Sequence, residues 1–93
     1  MEYLKAQLRE GLSSSSSRAL QHLKENPKDH TIRRLLIHCF ILNKEPQYAQ
    51  IHLRYLINIG IATKAEKKDL ELLRNRKPTQ YYPLSFIQLE DPP

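Results

Sequence analysis

The sequence predicts an all-α fold, and three observations carry that reading. Only two glycines, Gly11 and Gly60, interrupt 93 residues rich in Leu, Ile, Lys, Glu and Gln, so long helical stretches meet little resistance. Apolar residues recur at i, i+3 and i+4 rather than alternating, which is the helical period. Between Ile32 and Leu42 only Arg33, Arg34 and His38 are polar, a density that suits a helix packed on several sides.

The elements follow in order. Leu4, Leu8 and Leu12 lie at i, i+4 and i+8 and predict a first helix over 2–12, weakened at its end by Gly11. Ser13 to Ser17 read as a linker or a helix start, because serine competes with helix hydrogen bonds but caps well. A second helix is placed from about Ser15 to Glu25 with Ala19, Leu20 and Leu23 inward. Asn26-Pro27 ends it, since the residue before proline is pushed out of the α region. Asp29 caps a third helix that runs to about Asn43. Pro46 suits the first turn of a fourth, where its missing N–H costs nothing, and Gly60 supplies a left-handed stop. Thr63-Lys-Ala-Glu66 matches a capping box for a fifth helix that fades near Asn75. Residues 1–77 therefore form one helical domain, too short for two cores. Residues 78–93 form a Pro-rich extended tail. Its "YYPLSFIQL" segment is apolar enough to dock on a groove.

Composition narrows the function classes. Cys39 is the single cysteine, so no internal disulfide forms and a reducing compartment fits. The charged N-terminus MEYLKAQLREGL has no apolar run of signal-peptide length, and no segment is long enough to span a membrane. A cytoplasmic location is expected. Net charge is +5, which keeps acidic partners and nucleic acid in view. The densest window, Lys64 to Lys77, holds six basic residues against Glu66, Asp69 and Glu71, a net of three. It reads as a solvated helix face with paired charges.

With the elements placed, the central stretch resembles a tetratricopeptide repeat, a helix-turn-helix unit of about 34 residues with the pattern W-x2-L-G-x2-Y, A-x3-F and P. From His30 the first part falls on Arg33, Leu36, Ile37 and Phe40, and the second on Ala49 and Leu53. Pro27 lies where the closing proline of a preceding unit belongs. Leu36 and Phe40, at i and i+4, press on the partner helix, and Ala49 is small enough for close approach. Ile37 replaces the family's small residue, Arg33 its aromatic, and Ile61 its closing proline. The resemblance covers residues 19–61. It implies antiparallel helical hairpins stacked as a short array, and roughly three such units are needed before each buries its apolar faces. The first helix, the tail or another protein must cover the ends. In architecture the chain is similar to small bacterial secretion chaperones of tetratricopeptide type, which hold short helical clients.

No enzyme, metal or cofactor chemistry is expected. His22, His30, His38 and His52 lack the short pair spacing of zinc ligands, and Cys39 has no positioned base in its apolar surroundings. It reads as an inert buried thiol. In the tetratricopeptide register Arg34, His38 and Ile41 look into the concave groove and touch a bound segment, and exposure of Arg34 and His38 is expected. Arg54 and Tyr55 are a weaker pair, with Tyr55 read as core. The leading function is a non-catalytic adaptor or chaperone that binds a short helical or extended, acidic-amphipathic segment of another protein, alone or as a homo- or hetero-oligomer. The alternative is a small basic nucleic-acid-binding helical protein. Against it, neither the third nor the fourth helix shows a base-reading face.

Overall fold

The computed structural model describes residues 2–79, and all regular structure among them is helical: α1 (Glu2–Arg9), α2 (Ser14–Glu25), α3 (His30–Leu42), α4 (Pro46–Asn58) and α5 (Lys64–Arg74). The tail segment with its expected docking lies outside the described residues.

The start signals act as chemistry dictates. Asp29 Oδ1 accepts the backbone N–H of Ile32 at 3.2 Å, and Pro46 opens α4. The capping box of α5 is complete: Thr63 accepts from the Glu66 N–H, and Glu66 accepts from the Thr63 N–H. The stops share one geometry. After α1, α3, α4 and α5, a residue at positive φ turns the chain so that its own N–H and the next are bonded back to the last helical turn. The pairs run Gly11 to Leu8 and Leu12 to Gln7, then Lys44 to Ile41 and Glu45 to Phe40. Gly60 to Ile57 and Ile61 to Leu56 follow, and finally Arg76 to Leu73 and Lys77 to Leu72. These are Schellman closures, where glycine is preferred because it alone enters the left-handed region without a Cβ penalty. Two of the four use glycine. The other two use Lys44 and Arg76, both at φ 57°.

α3 is the hub. It packs against α1, α2 and α4, and α5 packs on α4. Ile32, Leu35, Leu36, Ile37, Cys39 and Phe40 are all buried, which accounts for the unusual apolar density of that stretch. α4 contributes Ala49, Leu53 and Leu56 to the same core, while its Tyr48 and Ile51, and Ile59 just past its end, are exposed. Phe40 faces α4, with its ring 5.4 Å from Tyr48 and 6.0 Å from His52. Two expectations fail: the first helix stops short of residue 12, and Leu20 does not face inward. Leu12 is exposed because α1 ends at Arg9 and the chain has already turned. Leu20 is exposed because the buried stripe of α2 runs through Ser15, Ala19 and Leu23, one step round the helix.

A polar knot ties the α1–α2 turn to the end of α3. The Asn43 amide donates to the carbonyl of Gly11 at 2.8 Å and to that of Cys39 at 2.9 Å, and Ser15 donates to the Leu12 carbonyl. A Cβ on Gly11 would sit 2.9 Å from Leu42 Cδ1, so glycine suits both the left-handed φ and the close approach there.

Candidate functional site

The three residues named from the repeat register meet different fates. Arg34 is turned inward onto α5: its Nε donates to Glu66 Oε2 at 2.8 Å and its Nη2 to Oε1 at 3.1 Å, a bidentate pair. The same Nη2 donates to the Ile61 carbonyl at 3.0 Å. His38 is buried, and its Nε2 donates to the Arg9 carbonyl at 2.9 Å; burial lowers its pKa below the ordinary value, with the carbonyl opposing. The exposure expected for these two is therefore corrected. Each sits between α3 and a neighbouring helix and satisfies a polar group there. Ile41, the third, is half-buried and lines a groove.

That groove lies where the C-terminal ends of α3 and α5 meet the start of α4. Its volume is about 570 Å³ and its floor is Ile41, Pro46, Leu73 and Pro78. Lys44, Arg76 and Lys77 stand at its edge, all exposed, and Thr79 closes the lining. Lys44 and Arg76 are the same two residues that take the left-handed closures in place of glycine. A non-glycine residue there carries strain on the order of 1 kcal/mol. Both strained positions place a long cation beside one apolar floor. Sequence reasoning missed them because a left-handed closure is not visible without the glycine that usually marks it.

Three further groups bear on what the site can do. Arg33, which stands in the aromatic's place in the repeat register, is 7% exposed and lies over the Tyr55 ring, its guanidinium carbon 3.8 Å from the centroid. Its Nη1 donates to His52 Nδ1 at 2.9 Å, its Nη2 to the Pro27 carbonyl at 3.3 Å, and its Nε has no hydrogen-bond partner. Burial, and then the Arg33 charge, push the His52 pKa down to about 4. Tyr55 is half-buried against that guanidinium, and Arg54 is exposed. Cys39 is buried with its thiol donating to the Leu12 carbonyl at 3.6 Å, and burial pushes its pKa up, away from the thiolate. The remaining clusters are structural: His22 Nε2 bonds Asp29 Oδ2 at 2.7 Å. Among the described residues no three His, Cys, Asp or Glu side chains converge as metal ligands would, and no helix is long and apolar enough to cross a membrane.

Comparison with protein-family models, with curated proteins and with solved structures returned no match to the chain. The groove and its chemistry therefore carry the functional reading.

Proposed function

We propose that this protein is a non-catalytic interaction module of tetratricopeptide-like hairpin design that seats an acidic amphipathic segment of another protein in the groove lined by Ile41. One observation carries the reading: the two strained left-handed closures are filled by Lys44 and Arg76, beside an apolar floor, where glycine would fit without strain. A partner segment would bury apolar anchors on Ile41, Pro46, Leu73 and Pro78 while its carboxylates meet Lys44, Arg76 and Lys77. This moves the binding role from Arg34 and His38, which are engaged within the fold, to Ile41 and its basic rim.

The test exploits the strain. Lys44→Gly with Arg76→Gly relieves two left-handed side chains and should raise the melting temperature, by about 1 kcal/mol of stability per site. The same variant should weaken a fluorescein-labelled 16-residue acidic amphipathic peptide at least tenfold in fluorescence polarisation. Stabilisation with unchanged peptide affinity would overturn the proposal. Loss of both would show that the two residues serve the fold.

A further inference from the structure

Burial separates the charges of α5 in a way the sequence conceals. The window from Lys64 to Lys77 carries three acids, but Glu66 and Asp69 are 0% and 1% exposed, and Glu66 is engaged by Arg34. What remains at the surface is Lys64, Lys67, Lys68, Arg74, Arg76 and Lys77, all exposed, against Glu71 alone. None of the six makes an ion pair with another described residue within 4 Å. The paired, solvated helix face expected from the sequence is replaced by an inward acidic face and an outward basic one. Helical spacing sets Lys64, Lys67, Lys68, Glu71 and Arg74 within an arc of about 120°, opposite Glu66, Leu70 and Leu73. A shallow depression of about 350 Å³ runs among Lys67, Lys68, Glu71, Leu72, Asn75 and Lys77.

We propose that the outer face of α5 is a second binding site, which adjoins the Ile41 groove at Lys77, and that it takes the phosphate backbone of a nucleic acid without reading sequence. The composition of the face favours phosphate over protein. It exposes no large apolar or aromatic anchor, and lysine is depleted from the cores of protein interfaces, whereas lysine and arginine supply most backbone contacts to nucleic acid. The absence of a base-reading face on α3 and α4, which argued against sequence recognition, has no bearing on backbone binding. Along α5 the cations from Lys64 to Arg74 span about 15 Å at 1.5 Å per residue, long enough to follow several phosphates.

The experiment is fluorescence anisotropy of the whole chain on a fluorescein-labelled random 20-base-pair DNA duplex, from 50 to 200 mM KCl. Three to five phosphate contacts give a slope of log K against log salt between about −3 and −5. Lys64→Gln, Lys67→Gln and Lys68→Gln together should flatten that slope by about 3 and weaken binding at least tenfold at 50 mM salt. Circular dichroism establishes that this variant keeps its helices, since all three side chains are exposed. A charge-matched variant on and just after α2, with Arg18, Lys24 and Lys28 each changed to Gln, should keep most of the affinity. No duplex binding at 50 mM salt overturns the proposal. Equal losses in the two variants overturn it in favour of diffuse charge. A polyglutamate 20-mer bound as tightly as the duplex overturns it in favour of an acidic protein partner.

Discussion

Arg33 and Arg34 are adjacent on one helix, both withdrawn from solvent, and held by opposite solutions. Arg34 reaches a fully buried carboxylate and forms a bidentate pair that also bonds the Ile61 carbonyl. Arg33 is the more deeply buried and has no carboxylate: an aromatic face, an imidazole nitrogen and a carbonyl take its place. The difference teaches which charge the fold depends on. A buried ion pair is weak evidence for stability as a pair, but each half is costly once the other is gone. A guanidinium over a tyrosine leaves no orphaned opposite charge when it is removed.

The sharpest way to break this contrast is at Arg34. Arg34→Glu sets a second carboxylate against Glu66, which is fully buried and also closes the capping box of α5. The loss should reach about 4–5 kcal/mol, enough to unfold much of a domain this small at room temperature. Urea denaturation followed by circular dichroism measures it. A loss under about 1 kcal/mol would mean that the clamp contributes little to the fold.

Next in size is the pH dependence of His52, which burial first and the Arg33 charge second hold in its neutral form. With the folded pKa near 4 and the unfolded value near 6.5, the unfolded chain takes up the proton first as pH falls. The contribution is fully present above about pH 6.5, declines between 6.5 and 4, and is flat below. It should amount to about 1–3 kcal/mol, and His38, lowered in the same direction, adds to it. Denaturation midpoints between pH 7 and 5 should fall steadily. His52→Gln should flatten that decline, and a wild-type profile level over this range would contradict the assignment.

The smallest effect is at Arg33 itself. Arg33→Met removes the charge, keeps most of the side-chain volume and leaves no carboxylate unpaired. The expected cost is about 1–2 kcal/mol from the ring stacking and two hydrogen bonds. The same change should raise the His52 pKa in an NMR titration, because one of the two causes of its depression is gone. A cost matching that of Arg34→Glu would erase the distinction between the two arginines.

Much of this architecture is legible residue by residue, because local chemistry writes it. Asp29, Pro46 and Thr63 with Glu66 each act within one turn of their own helix, and their sequence signatures are short-range. The inward charges are another matter. A periodicity argument sends Arg34 outward with every other charged residue, and nothing near it announces Glu66, 32 positions away in the chain. Glu66 is recognisable as a cap; that it has a second partner is a tertiary fact. The same blindness hides the basic face of α5, whose net charge depends on which acids are withdrawn. Of the groove, only Ile41 was legible. Lys44 and Arg76 stand where the local rule asks for glycine, and a departure from a rule is silent until the backbone is seen.

The Arg34–Glu66 clamp also constrains how the chain can diverge. Apolar positions in α3 and α4 can exchange Leu, Ile, Val and Met with small losses, so the core pattern drifts readily. Position 34 and position 66 cannot drift alone, since a change at either strands a charge in the interior. A lineage that loses the arginine must lose the acid in nearly the same step, or pass through a form that folds poorly. Descendants should then carry both or neither, and an arginine followed 32 residues later by the glutamate of a Thr-x-x-Glu cap is a more durable mark of kinship than the aliphatic repeat around it.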